Sequence, residues 1–217
     1  MKERPILFSG PMVSAILDRT KSQTRRVVKF PIKCPDSGCE LAGNELNGEL
    51  QRHAGQTNRV CPYGGPGDRL WVRETWQHAP SDYCYCPQPS EPTPCDRWSM
   101  GIGCRRRLTE VLYRADRHEA PSWRPSIHMR REDSRITLEI TGVRIDRLNN
   151  ISERDAQAEG ACRELRPGLS DEFYGYDNHR SYRNGFHILW ESINGAESWA
   201  ANPWVWVIEF KRVNDDR

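Results

Sequence analysis

The stretch that most constrains the fold is SRITLEITGVRIDRL, residues 134–148, because its apolar side chains alternate and then change phase. Apolar residues occupy the even positions from Ile136 to Ile140, and the odd positions after Gly142. A bulge or bend at Gly142 explains the change, since one extra residue reverses the face that each later side chain takes. The pattern predicts a long strand in a tightly curved sheet or a small barrel.

The other periodic stretches predict strands and helices in an order that does not alternate regularly. The helix at 151–161 is well marked, with Ser152 as N-cap, Asp155 in capping-box spacing and Gly160 as stop signal. The complete set comprises strands at 4–9, 23–30, 66–76 (opened by a turn), 109–115, 134–148 and 202–212, and helices at 11–19, 151–161 and 181–195. The last strand is apolar on both faces and is therefore predicted to be central in its sheet.

Two segments, at about 31–67 and 79–107, have no periodicity and are interpreted as loop-rich insertions. The first is rich in Gly, Pro, Asn and Cys, and the second contains five prolines between positions 80 and 94. Together the elements predict an α+β fold, a curved or barrel-like sheet with packed helices, in a single domain over residues 1–217.

Composition limits the classes of partner. The formal net charge is only +2, so binding of nucleic acid through bulk positive charge is not expected. The apolar run in the N-terminal sequence MKERPILFSGP is too short for a signal peptide. No apolar stretch approaches the roughly 20 residues of a membrane span. We therefore expect a cytoplasmic protein with reduced cysteines and no membrane partner.

The stretch DRTKSQTRRVV contains the first candidate for chemistry. Lys21 is one of five lysines among 32 basic residues, and it precedes Thr24 by three positions. The turn between helix 11–19 and strand 23–30 places Lys21 so that it can reach the side from which Thr24 projects. A desolvated lysine with a lowered pKa can accept the threonine proton and activate the hydroxyl as a nucleophile. An exposed lysine beside a surface threonine is the structural alternative.

Glu159 is the second candidate, because it is the last residue before Gly160 at the carboxyl end of its helix. A carboxylate there faces the negative pole of the helix and is disfavoured by about 0.3–1 kcal/mol when exposed. The same field raises the pKa of the carboxyl group, as a proton donor near neutral pH requires. A solvated glutamate on a short helix is the alternative.

The pattern Arg19-x-Lys21-x-x-Thr24-x-Arg26 resembles the signature of the ASCH domain family in the PUA-like superfamily, Gly-x-Lys-x-x-(Glu or Thr)-x-Arg. The stretches PGDRLWVRETW, ISERDAQAEGA and PWVWVIEFKR are similar to further segments of that family. The chain looks most like its larger phage and prophage members. Arg19 stands where the family pattern has glycine.

The resemblance implies a curved PUA-like barrel and, by analogy with one bacterial branch, hydrolysis of the acyl amide of N(4)-acetylcytidine. It implies Lys21 as proton acceptor, Thr24 as nucleophile and Glu159 as proton donor, with no cofactor required. The substrate-binding residues that follow from it are Arg26, Trp71 and Glu74. Core packing is the alternative for the Trp71 ring.

Two other functions remain open. PUA-like folds also bind RNA or modified nucleotides without catalysis, and arginines with tryptophans could line such a groove. Some ASCH proteins are described as ribonucleases, and a lysine–glutamate pair could serve as general base and acid there.

Seven of the eight cysteines fall between positions 34 and 104, in or beside the insertions. Clustered thiols in a reducing compartment leave a structural zinc site open, although the spacing fixes no ligand set. Cys162 is expected to be a small buried side chain.

Overall fold

The structure is a computed structural model that describes residues 1–34, 36–43, 45–46, 48, 60–78, 111–117, 122–164 and 180–213. The strands are β1 (Glu3–Leu7), β2 (Gln23–Val27), β3 (Ile32–Lys33), β4 (Glu40–Leu41), β5 (Arg69–Arg73), β6 (Trp76–His78), β7 (Val111–Tyr113), β8 (Thr137–Arg147) and β9 (Trp204–Val213). The α-helices whose two ends both lie within the described residues are α1 (Gly10–Leu17), α2 (Glu153–Ala158) and α3 (Tyr182–Asn194). Short 3-10 turns occur at Arg114–Asp116, Ser126–His128 and Leu148–Asn150. The insertion expected at 79–107 lies outside these residues.

The chain divides into two compact units. The first contains Met1–Ile6, Ala15–Trp71 and Ile136–Arg217, and the second contains Leu7–Ser14 and Val72–Arg135.

A five-stranded sheet in the order β1-β5-β8-β9-β2 organises the fold. β8 pairs antiparallel with β5 and β9, and β9 pairs antiparallel with β2. β1 and β5 run in the same direction, because the Arg69 amide bonds to the Lys2 carbonyl and the Phe8 amide to the Arg73 carbonyl. The fold is therefore α+β, as the sequence predicts, and its sheet is mixed. No closed barrel is detected in the part of the chain that the structure describes.

The predicted irregularity in β8 is confirmed. The register shifts between Ile140, which pairs with Phe210, and Gly142, which pairs with Glu209, so that Thr141 is the extra residue. Burial changes phase at the same point, since Ile140 and Ile145 are both buried although one position is even and the other odd. Because of the bulge, apolar side chains face the core both before and after the irregularity.

The central position predicted for the last strand is also confirmed, since β9 lies between β8 and β2. Helices α2 and α3 cover one face of this strand. Their core cluster consists of Leu148, Ile151, Ala156, Phe186, Trp190, Val205 and Val207. Each large apolar side chain of such a core contributes roughly 1.5–3 kcal/mol by leaving water.

Helix α2 begins as its sequence indicates. The Ser152 hydroxyl accepts a hydrogen bond from the Asp155 amide at 3.1 Å. The Asp155 carboxylate, however, binds the guanidinium groups of Arg25 and Arg144. The N-cap thus fixes the start of the helix, while the acid expected to complete the capping box is directed towards an ionic cluster.

The expectation that Cys162 is buried is wrong, because its side chain is exposed. Its backbone packs closely against α3, where a Cβ added at Gly185 would collide with the Cys162 carbonyl oxygen. At this position the backbone of Cys162, and not its thiol, lies against the helix.

Candidate active site

The carboxyl end of α2 meets the segment that precedes β2. Lys21 and Glu159, 138 residues apart, form an antiparallel backbone bridge, and the Ser22 amide donates to the Ala158 carbonyl at 2.9 Å. Gly160 permits this approach: its φ is +78°, and a Cβ there would lie 3.2 Å from the Lys21 Cβ. The predicted helix stop therefore also makes room for the predicted lysine.

The Lys21 ammonium group is held by three oxygen atoms. Nζ donates to the Gln23 carbonyl at 2.7 Å, to the Glu159 carbonyl at 2.9 Å and to Glu159 Oε2 at 2.9 Å. The Lys21 side chain is 0% exposed and that of Glu159 is 2% exposed. The structure thus joins the two residues that the sequence singles out as proton acceptor and proton donor.

The same contacts have a structural explanation. The last carbonyl groups of an α-helix have no partners within the helix, and a cation near them is favourable. Lys21 Nζ and the Ser22 amide satisfy two of these carbonyls at the end of α2. Any catalytic role of Lys21 must therefore be tested separately from its role in closing this helix.

Arg25 is a member of the site to which the sequence analysis assigned no role beside Lys21 and Glu159. Its side chain is completely buried, Nη1 donates to Glu159 Oε1 at 3.1 Å, and Nη2 donates to Asp155 Oδ2 at 3.2 Å. The guanidinium lies 5.8 Å from the centre of the Phe186 ring. A sequence signal was present, since Asp155 and Glu159 are four residues apart and share a helix face that needs a cationic partner.

The ionic contacts continue from this buried pair towards solvent. Arg144 Nη2 donates to Asp155 Oδ2 at 3.1 Å and to Gln23 Oε1 at 3.4 Å, and Arg144 Nη1 pairs with Glu209 Oε1. Cations and carboxylates therefore alternate in the order Lys21, Glu159, Arg25, Asp155, Arg144 and Glu209. Three positive and three negative groups balance, which is the condition under which buried charges are tolerated.

Burial lowers the pKa of the Lys21 amine below 10.5. Glu159 opposes this effect through its charge and its hydrogen bond, whereas Arg26 and Arg25 add to it. The balance favours the neutral amine relative to an exposed lysine, and a neutral amine is the form that can accept a proton.

Thr24 is placed differently from the other two predicted catalytic residues. It pairs with Ile208 across the sheet, and Arg25 pairs with Val207, so Thr24 and Arg25 project from opposite faces of β2. Thr24 is 2% exposed, and among the described residues its hydroxyl forms no hydrogen bond with Lys21 or Glu159. The structure therefore brings Lys21 and Glu159 together, whereas Thr24 lies in strand β2 and its hydroxyl is hydrogen-bonded to neither of them.

Arg26 and Trp71 also belong to the first unit. Arg26 lies on the Thr24 side of β2 and is half-buried, and desolvation lowers its pKa while the nearby Tyr63 and Glu159 act in the opposite direction. Trp71 pairs with Thr137 in the sheet and is 8% exposed. Its burial supports the alternative of core packing for this ring.

Glu74 belongs to the second unit and has a bidentate partner there. Arg135 donates to the Glu74 carboxylate from Nε at 2.9 Å and from Nη2 at 3.1 Å, and it also binds Asp116. The Arg135 guanidinium stacks 3.9 Å from the centre of the Tyr113 ring. Burial raises the pKa of Glu74 although Arg135 opposes this shift. Both carboxylate oxygens are engaged, which is the arrangement of a structural ion pair.

Among the described residues there is no group of three or more His, Cys, Asp or Glu side chains that could hold a metal ion. Cys34 and Cys61 are buried, and burial raises the pKa of the Cys61 thiol to about 11. Of the other cysteines between positions 34 and 104, Cys39 is exposed, and Cys84, Cys86, Cys95 and Cys104 lie outside the described residues. None of the helices within those residues has the length and apolar character needed to cross a membrane.

Comparisons of the chain with protein-family models, with curated proteins and with solved structures gave no match.

Proposed function

We propose that this protein hydrolyses the amide that links an acyl group to the exocyclic amine of a cytosine nucleoside, within a PUA-like fold of the ASCH type. The observation that carries the proposal is the fully buried contact between Lys21 Nζ and Glu159 Oε2. An amine of lowered pKa beside a carboxyl group is a pair that can accept and deliver protons in one reaction.

The reactive form of the pair is reached by moving one proton from Lys21 Nζ to Glu159 Oε2 across their 2.9 Å contact. The total number of protons does not change, and a weakly polar surrounding favours two neutral groups over two charges. Arg25 favours the carboxylate because it donates to Oε1 at 3.1 Å. Arg25 therefore raises the free energy needed to transfer the proton from Lys21 to Glu159.

In the first half of the reaction the Thr24 oxygen forms a bond to the acyl carbon, and Lys21 takes the hydroxyl proton. The tetrahedral intermediate collapses as the carbon–nitrogen bond breaks, and Glu159 protonates the leaving amine of cytosine. In the second half water attacks the acyl-threonine ester, the Glu159 carboxylate takes the proton of water, and Lys21 returns a proton to Thr24. The acid is released, and every group regains its starting protonation state.

The proposal requires the Thr24 hydroxyl to approach Lys21 Nζ when substrate binds. Catalytic hydrogen bonds often tighten only in the complex with substrate. Arg26 projects from the same side of β2 as Thr24 and is the residue expected to contact the base or the sugar.

A second function has an observation in its favour. The position of Thr24 away from the Lys21–Glu159 contact fits a module that binds a modified nucleotide without transforming it, with Lys21 as a helix-closing residue.

Incubation of the purified protein with N(4)-acetylcytidine, followed by chromatography, separates the two functions. We expect formation of cytidine and acetate, and loss of this activity in Thr24→Val, which keeps the shape of the side chain. Thr24→Ser should keep measurable activity because it retains the hydroxyl. Absence of turnover in the wild-type protein, or full activity in Thr24→Val, would exclude the proposed hydrolysis.

A further inference from the structure

The described part of the chain contains a cavity of about 330 Å³ where the end of α1 meets the ends of the β2–β9 pair. Its wall includes the basic residues Arg19, Lys21, Lys211 and Arg212, and no acidic residue is among those that line it. Ile16 and Phe210 supply an apolar part of the wall. Lys21 thus separates this cavity from the buried ionic cluster.

The positive charges of this wall differ in how far they are already neutralised. Lys21 contacts Glu159, and Lys211 Nζ pairs with Glu139 at 3.0 Å. Within the residues that the structure describes, Arg19 and Arg212 form no ion pair. Two guanidinium groups beside the cavity are therefore available to an anion.

The backbone conformation of Arg19 is a second and independent observation. Its φ is +60°, a left-handed conformation that glycine adopts without strain and arginine does not. The turn that leads to Lys21 thus has a backbone suited to glycine, yet it presents a long cationic side chain at the cavity. Strained residues of this kind concentrate at functional sites.

We infer that this cavity binds the phosphate group of a cytidine mononucleotide, with Arg19 and Arg212 as its ligands. Guanidinium groups suit phosphate because they form paired, charge-assisted hydrogen bonds. Phosphate is the anionic group that distinguishes a nucleotide from the neutral nucleoside. The cavity volume lies at the lower end of the range for small-molecule sites, about 300–1,000 Å³, which favours a mononucleotide over a polymer.

The inference rests on the proposed function for the choice of base, and its test measures binding rather than turnover. Wild-type protein is titrated calorimetrically with cytidine 5′-monophosphate, cytidine, inorganic phosphate and a cytidine oligonucleotide of matched phosphate concentration. We expect the monophosphate to bind about tenfold or more tightly than cytidine, since charge-assisted hydrogen bonds are the stronger kind. The preference should weaken as salt concentration rises.

Arg19→Gly and Arg212→Ala should each remove most of this preference. Arg117→Gly is the matched control, because Arg117 is also exposed, also has a φ of +60° and does not line the cavity. Equal affinity for cytidine and its monophosphate, or equal losses in Arg19→Gly and Arg117→Gly, would overturn the inference. Much tighter binding of the oligonucleotide would overturn the assignment to a mononucleotide.

The two proposals fail in different ways. If the protein deacetylates acetylcytidine but shows no preference for the monophosphate, the phosphate site is refuted and the hydrolase activity is supported. If the protein prefers the monophosphate but does not deacetylate acetylcytidine, the phosphate site is supported and the hydrolase activity is refuted.

Discussion

Substitution of Glu159 by glutamine removes one charge from the buried cluster while keeping the shape of the side chain. Lys21 and Arg25, both completely buried, would then face a neutral amide instead of a carboxylate. Loss of one partner from a buried ion pair destabilises by about 3–5 kcal/mol. With an m-value of about 2 kcal/mol/M, the urea midpoint should fall by about 2 M at pH 7.

The expected pH dependence follows from the lysine. The pKa of Lys21 is already below 10.5, and Glu159 is the group that raises it, so the substitution lowers it further. The unfolded chain then binds more protons than the folded variant between the lowered pKa and about 10.5. Stability contributed by this group therefore rises with pH in that window, and the deficit of Glu159→Gln relative to wild type should shrink between pH 7 and pH 10. Arg25 also loses its carboxylate partner in this variant, so part of the deficit remains.

Unfolding followed by both tryptophan fluorescence and circular dichroism measures this effect and tests for a single transition. Glu132→Gln is the control, because Glu132 pairs with Arg130 at 3.1 Å on the surface, where such a pair contributes about 0–1 kcal/mol. Adding Lys21→Met to Glu159→Gln should cost less than the sum of the single changes. An unfolding free energy within about 0.5 kcal/mol of wild type, with unchanged pH dependence, would refute the reasoning about unpaired buried charge.

Three further outcomes are expected. In NMR spectra with labelled lysine, the signal lost in Lys21→Met should titrate below 10.5, and a midpoint at or above that value would contradict its desolvation. Gly160→Ala should lower the unfolding free energy by about 1–3 kcal/mol, because its φ is +78° and the new Cβ would lie 3.0 Å from the Ala15 Cβ; unaltered urea unfolding would count against this packing. Thiol alkylation at pH 8, mapped by mass spectrometry, should modify Cys162 rapidly and spare Cys61, whose burial raises its pKa to about 11. Comparable rates at the two thiols would contradict the placement of Cys61.

Local patterns predicted the elements well where side-chain periodicity and capping act within a few residues. Ser152 and Gly160 mark both ends of α2, and the phase change at Gly142 marks the bulge of β8. Closure of the sheet into a barrel could not be predicted in this way, because it depends on pairing between edge strands. Such pairing leaves no signature in the periodicity of one strand.

The candidate site was only partly accessible from the sequence. Lys21 and Glu159 were each singled out by local reasoning, Lys21 by its rarity and Glu159 by its unfavourable place at a helix end. Arg25 was not recognised as a partner of Glu159, because the motif directed attention to Thr24 and Arg26, which project from the other face of β2.

The sequence alone indicated the approximate positions of most strands and helices and which of their faces are apolar, because these depend on propensities and spacings within one turn or one pleat. It did not predict that the segment expected to form one strand at 66–76 contains β5 and the start of β6, or that β3 and β4 lie in the segment interpreted as a loop-rich insertion. Only the tertiary structure decided that a lysine and a glutamate 138 residues apart share a hydrogen bond, and that the buried arginine Arg25 donates to the same carboxylate. The physical reason is that a buried charge is stable only beside its counter-charge. That partner is selected by three-dimensional packing, whatever its distance along the chain.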